Sequence, residues 1–384
     1  MFKRVFLVIL DSVGLRAADD AASFGDEGAS TLGHIYETTG IRLPNLESLG
    51  LGKLLGLNTE VNEKAAYAEM VPESVGKDTI AGHWEMMGIN IEEPLPTYPN
   101  GFPADLIKKF ESKIGRGILG NKPASGTVII KELGEEHLKT GKPIVYTSAD
   151  SVMQIAAHEE IIPVNELYKI CEIARELLTG KHTVGRVIAR PFIGENPNFT
   201  RTKNRKDYAL IPPKATVLDK LVQQNIGVYA IGKIEDIFAG KGISFSVHTA
   251  DNNDGMKQIL KVANEEMKQG FLFANLVDFD SKYGHRRDVK GYANALIEFD
   301  AWLPKFIKQL NNDDLLLITA DHGNDPTYKG TDHTRENTPL LVYGVPIQQN
   351  MGRVHFSDVG ATIMKNFNLQ PIKGEPLPIF KESM

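Results

Sequence analysis

Short apolar runs alternate with stretches of helical periodicity along most of this chain. Runs at residues 4–10, 227–231, 271–277, 315–319 and 340–343 predict strands, and residues 215–224, 254–268 and 289 to about 310 predict helices between them. Pro304 falls inside the last helix, where a missing N–H and a ring clash predict a kink or a break. Alternation of this kind predicts an α/β fold, a largely parallel sheet between helices. Such sheets bind ligands beyond the carboxyl ends of their strands. The residues just after each apolar run are therefore the ones to read for chemistry.

The middle of the chain breaks the pattern. Residues 92–101 hold three prolines, and Ile211-Pro212-Pro213 forms a second interruption. Between them lies a segment with strand patterns of its own, at residues 143–147 and 184–189. The expectation is a discontinuous core, residues 1–94 and 213–384, carrying an inserted smaller α/β cap domain at 95–212.

Composition narrows the function classes. Of 384 residues, 42% are hydrophobic and 24% charged, an ordinary globular balance. A net charge of −6 argues against nucleic acid as a partner, because phosphate neutralisation needs a basic face. The start, MFKRVFLVIL, is basic then apolar, but the run is short, ends at Asp11 and is followed by no cleavage site, so a buried strand is expected rather than a signal peptide. No segment reaches the roughly 20 apolar residues of a membrane span. The expectation is a cytoplasmic protein without a membrane partner. The lone cysteine, Cys171, shares a helical apolar face with Leu167, Ala174 and Leu178, which predicts a core position.

The strand ends are rich in ligand chemistry. The first run ends in Asp11-Ser12. The run at 271–277 leads into Asp278-Phe279-Asp280 and on to His285. The run at 315–319 leads to Asp321-His322-Gly323-Asn324, and Asp332-His333-Thr334 follows. Singly, each fragment could be a cap, a turn or a surface pair. Together, three Asp and three His at strand ends could complete two open metal sites. Mixed carboxylate and imidazole donors suit Mn²⁺ or Zn²⁺ better than Ca²⁺ or Mg²⁺. Three carboxylates with two divalent cations leave about +1, which suits a phosphate dianion.

A nucleophile candidate lies in the segment GKDTIAGHWEMMG. Thr79 there stands at a turn-to-helix junction, where the helix amino end favours nearby negative charge. Threonine is a poor nucleophile unless a metal or base activates it. The alternative is that Asp78 or Thr79 only caps the helix, and the two readings are compatible. His83 and Trp84 are left out of the catalytic set, since a packing role serves the histidine equally well.

The arrangement of Asp11, Asp280, His285, Asp321, His322 and His333 resembles the ligand set of the alkaline phosphatase superfamily. The resemblance implies that Asp11, Asp321 and His322 hold one metal and Asp280, His285 and His333 a second. It also implies that Thr79 is the phosphorylated nucleophile. Within the superfamily, GKDTIAGHWEMMG, TSADSV, VGRVIARPF and NFTRT resemble the phosphopentomutase family, although Ile80 replaces a threonine common there. That likeness spans core and insert. It implies that Ser148 and Asp150 contact ribose hydroxyls, and that Arg186, Arg201 and Lys233 help hold the distal phosphate or line the cleft. It implies Mn²⁺ as the metal, a sugar 1,6-bisphosphate as activator, and interconversion of ribose 1-phosphate and ribose 5-phosphate, or their deoxyribose counterparts. Other readings are another mutase or phosphatase of the superfamily, or a non-catalytic protein braced by metals. Oligomeric state is not encoded legibly.

Overall fold

The computed structural model describes residues 1–148, 151–346 and 348–380. The chain forms two compact units, Met1–Glu93 with Pro212–Met384, and Pro94–Ile211.

In the larger unit, the apolar run after the amino terminus becomes the strand Arg4–Leu10, buried along its whole length. Continuous burial on both faces explains why this run lacks polar alternation. The strand pairs in parallel with Gly270–Leu276 on one side and Asp314–Thr319 on the other. Val228–Ile231 and Phe245–Val247 extend the parallel array beyond Gly270–Leu276. On the opposite side, Glu336–Tyr343 joins Asp314–Thr319 antiparallel, followed by Ala65–Val71 and Gln349–His355. The sheet is thus mainly parallel, with an antiparallel turn at Glu336–Tyr343.

Register carries this order to the site. Ile9 is level with Asn275 and with Thr319, so the three central strands end together. Asp11, Asp278 and Asp321 follow at nearly the same height. At the other end, Arg4 and Asp314 start adjacent strands and form a buried forked pair, with Nε to Oδ1 at 2.8 Å.

The long helix Val289–Ile307 runs through Pro304 without breaking. A proline frees the carbonyl four residues earlier. Here that carbonyl, of Asp300, accepts a bond from Asn45 Nδ2 at 3.0 Å, which replaces the lost helical partner. The helix predicted over 254–268 ends earlier, as Asn252–Lys261, and closes in a wider turn, Val262–Glu266. Among the described residues, no helix is long and apolar enough to cross a membrane.

The smaller unit has a mixed sheet of its own. Leu119–Pro123, Ile144–Thr147, Val152–His158 and Arg186–Ile193 lie side by side, and Thr200–Arg201 and Lys206–Ala209 both pair with Arg186–Ile193. The helix Val164–Leu177 packs an apolar face with Leu167, Ile170, Cys171 and Ala174 buried. Cys171 is therefore a core residue. The helix Gly126–Thr140 joins Tyr146, Phe192 and Phe199 in a second apolar cluster through Ile129 and Ile130.

Candidate active site

The strand ends of the larger unit bring all six predicted ligands into one cluster. Asp11 Oδ1 lies 3.6 Å from His322 Nε2, and Asp321 Oδ2 lies 3.4 Å from the same nitrogen. Asp280 meets His285 Nε2 at 3.0 Å through Oδ2 and His333 Nε2 at 3.5 Å through Oδ1. The rings of His322 and His333 are 4.2 Å apart, centre to centre, and those of His285 and His333 4.8 Å. Two buried donor groups emerge, Asp11 with Asp321 and His322, and Asp280 with His322 and His333. His322 thus stands at the junction. His285 approaches the second group by way of Asp280.

The donor set fits divalent cations. Asp11 Oδ1, Asp321 Oδ2 and His333 Nε2 are buried without a hydrogen-bond partner among the described residues. Buried polar atoms are seldom left so, because an unmade bond costs about 1–3 kcal/mol each. The other faces of these groups are occupied. His322 Nδ1 sits 3.1 Å from Gly323 O and His285 Nδ1 sits 2.7 Å from Thr331 O, which turns each Nε2 inward. Asn275 Nδ2 donates to Asp11 Oδ2 at 3.1 Å, and Asn324 Nδ2 to Asp280 Oδ1 at 2.7 Å. The Ser12 amide donates to Asp321 Oδ1 at 3.0 Å, with Ser12 in the left-handed region at φ 69°. A serine rarely adopts that conformation, so the turn after the first strand stores strain at the cluster.

Crowding shows in the ionisation. Burial, then the charges of Asp321 and Asp280, push the Asp11 carboxyl up to about 7, against the opposing pull of His322 and Lys233. Burial disfavours the charged form of His322, but Asp321, Asp11 and Asp280 outweigh it and raise the imidazole to about 9. Protons stand in for cations at such a cluster, and a bound metal would displace them.

Thr79 faces this cluster, its Oγ1 3.3 Å from His322 Nε2. It begins the helix Thr79–Met86, whose cap is Asp78, accepting from the amides of Ile80 and Ala81. Asp78 thus caps and Thr79 remains available. The helix lies against the Asp321 strand end so closely that a Cβ on Gly82 would fall 2.0 Å from Asp321 O.

Residues not foreseen complete the site. His83 is fully buried, with Nδ1 at 2.9 Å from Thr79 O and 3.2 Å from Asp321 Oδ2. It bonds the threonine's backbone and lies beside a ligand, so it positions Thr79 next to Asp321. Arg335, also buried, holds the loop before Thr79, donating to Ser74 O at 2.7 Å and Gly76 O at 2.9 Å while pairing with Asp20. Lys77 bridges Asp26 at 2.9 Å and Asp332 at 3.2 Å. Arg335 follows Asp332-His333-Thr334 directly and Asn324 follows His322-Gly323, so proximity in sequence was a usable signal for both.

The residues expected to touch substrate are spread over both units. Lys233 caps a short helix after Val228–Ile231, close enough to lower the Asp11 carboxyl. Ser148 is half-buried just past Ile144–Thr147, Arg186 opens Arg186–Ile193 with Nη1 3.8 Å from Asp207, and Arg201 is exposed in Thr200–Arg201. Asp150 lies outside the described residues.

Fold and donor cluster agree with comparisons to known proteins. The chain matches the Metalloenzyme superfamily over residues 3–371, an alkaline-phosphatase-like group that uses divalent metal. A solved Pyrococcus horikoshii protein shares the fold, with a TM-score of 0.51 at 13% identity over 96% of this chain and 97% of that one. A phosphopentomutase of Caldanaerobacter subterraneus is 58% identical over 378 residues, 97% of this chain and 96% of the relative. One from Carboxydothermus hydrogenoformans is 57% identical over 380 residues, 97% and 98% of the two chains. The chain belongs to the phosphopentomutase family and is an intramolecular phosphotransferase of the isomerase class.

Proposed function

We propose that this enzyme interconverts ribose 1-phosphate and ribose 5-phosphate, and the deoxyribose pair, through a phosphorylated Thr79. The observation that carries the reading is the placement of Thr79 Oγ1 against the junction imidazole of two donor groups with unpartnered buried atoms. Asp11, Asp321 and His322 would hold one cation and Asp280, His285 and His333 the other, with Mn²⁺ favoured by the donor types. Bound cations would neutralise the oxygens of the phosphoryl group in transit.

The chain's own residues supply the remaining parts. Thr79 begins the cycle as a phosphothreonine, loaded by a sugar 1,6-bisphosphate. The 5-hydroxyl of ribose 1-phosphate attacks phosphorus, a new P–O bond forms, the bond to Thr79 Oγ1 breaks, and the hydroxyl proton is released. Thr79 Oγ1 then takes the 1-phosphate from the bisphosphate, the anomeric oxygen leaves and regains a proton, and the phosphothreonine is restored. The helix amino end beneath Thr79 favours the negative phosphoryl group throughout. His83 and Arg335 keep Thr79 in line by fixing its backbone and the preceding loop. Ser148 and Asp150 are assigned to the ribose hydroxyls and Arg186, Arg201 and Lys233 to the phosphate not in transit.

Incubation with ribose 1-phosphate, Mn²⁺ and a trace of glucose 1,6-bisphosphate tests this. Ribose 5-phosphate should accumulate without free phosphate. Stoichiometric release of inorganic phosphate would instead make the enzyme a phosphatase.

A further inference from the structure

One cation beside the donor cluster has no part in the chemistry above. Arg287 is half-buried two residues after His285, in the turn between Phe279–Gly284, which carries Asp280, and the helix Val289–Ile307. Its guanidinium feels the charge of Asp325, Asp332 and Asp280 but pairs with none of them among the described residues. Its hydrogen bonds go to uncharged oxygens instead. Nη1 donates to Gly284 O at 3.0 Å, to Asp325 O at 3.1 Å and to Asn324 Oδ1. Nε donates to Gly330 O at 2.6 Å, and Nη2 to Asp332 O at 3.0 Å.

These acceptors lie on the segments that present Asp280, His285 and His333. Gly284 directly precedes His285. Asn324 donates through Nδ2 to Asp280 Oδ1 at 2.7 Å. With its Oδ1 taken by Arg287, that amide cannot turn over, so its donor side stays on the carboxylate. Gly330 and Asp332 belong to the loop that leads into His333, and His285 Nδ1 sits 2.7 Å from Thr331 O in the same loop. Residues 285 and 287 thus take the successive carbonyls of Gly330, Thr331 and Asp332. A loop gripped in this way has little freedom to swing His333 out. Among the described residues, no bond of the guanidinium goes to Asp11, Asp321 or Thr79.

The backbone points the same way. Arg287 stands in the left-handed region at φ 56°, which a long side chain seldom adopts. Such strain persists only where the surroundings over-determine it, and it gathers at functional sites. We infer that Arg287 is the positioning residue of the second donor group. Its fork holds Asp280, His285 and His333 at one spacing, and the second cation binds tightly only while that fork is intact. The group of Asp11 and Asp321 is braced separately, by Asn275 and the Ser12 amide. The inference rests on the two-cation reading proposed above.

Ion occupancy in the full chain tests it. Parent crystals soaked in Mn²⁺ should show two anomalous peaks, and calorimetric titration should count two ions. Arg287→Lys keeps the charge but replaces the rigid fork with a single nitrogen, and Arg287→Gly suits the left-handed backbone while removing the side chain. Both variants should weaken the second ion about 10- to 100-fold, the range for residues behind metal ligands, and leave the first nearly unchanged. The peak at Asp280 and His333 should fade while that at Asp11 and Asp321 persists. The Mn²⁺ concentration for half-maximal turnover should rise by the same factor, with kcat regained at high Mn²⁺, because every ligand remains. A merely structural arginine would weaken both ions together, and that result overturns the inference. So does a second ion as tight in Arg287→Gly as in the parent. Full recovery in Arg287→Lys also overturns it, since charge alone would then suffice. A parent crystal without an ion between Asp280 and His333 overturns it whatever the activity. A parent that holds both ions but releases inorganic phosphate instead of forming ribose 5-phosphate overturns the proposed function, and the variants' occupancies still decide the role of Arg287.

Discussion

The two units solve opposite electrostatic problems. At the strand ends of the larger unit, Asp11, Asp280 and Asp321 are buried together, and the Asp11 carboxyl rises to about 7 because like charges share a dry site. On the sheet face of the insert, Arg190, Arg201 and Arg205 crowd one another with Asp207 as the nearby counter-charge. Among the described residues, one region gathers buried carboxylates and the other gathers guanidinium groups. A phosphoryl-transfer enzyme needs both, since cations must serve the phosphoryl group in transit and fixed donors can serve the phosphate that stays. Changes to the core should therefore strike kcat and metal binding, and changes to the insert should strike KM.

The largest effect is expected at Thr79. Thr79→Ala should lower kcat by more than about 10³-fold, as loss of a nucleophile does, while the thermal transition stays in place. Full activity in that variant would remove the threonine from the mechanism.

Metal removal comes next, and its size should depend on pH. In the metal-free chain, Asp11 titrates near 7, above the ordinary carboxylate value of about 4. The folded state thus holds a proton that the unfolded chain has lost, and this stability fades as pH rises from about 4 to about 7. His322, raised to about 9, contributes stability that is full below its unfolded value of about 6.5 and is lost as pH rises through about 9. Both act in one direction. The gap between metal-loaded and chelator-treated transition temperatures should widen from pH 5 to pH 9, and a constant gap would contradict the cluster's assigned ionisation.

A smaller change is expected from the residues behind the ligands. Asn324→Ala removes the donor on Asp280 Oδ1 and should weaken divalent-metal affinity about 10- to 100-fold, read by calorimetric titration. Metal affinity equal to the parent would leave Asn324 a merely structural residue. The mildest effect should come from the insert. Arg186→Gln should raise KM for ribose 5-phosphate by several fold, roughly the value of one exposed charged contact, with kcat nearly constant. A fall in kcat as large as that of Asn324→Ala would erase the contrast between the units.

The legible parts of the molecule share a feature. Asp11, Asp280, Asp321 and His322 follow apolar runs closely, so a strand reading carries each of them to the sheet's carboxyl end without further knowledge. His333 and His285 were reached by motif and likeness, and register then brought them in. His83 was set aside because a helical histidine has many uses, and only its place between Thr79 O and Asp321 Oδ2 distinguishes it. Pro304 signalled a kink or a break, and the carbonyl it frees is taken up by Asn45, through a contact 255 residues away.

By itself, the sequence determined the alternation of strands and helices, the division by proline-rich breaks, and the chemical kinds gathered at strand ends, because periodicity and propensity act over a few residues. Only the tertiary structure decided that Asn275 and Asn324 back the carboxylates, and that His322 serves both donor groups. Those facts depend on side chains brought within hydrogen-bonding reach across long stretches of chain, and no local pattern encodes such a distance.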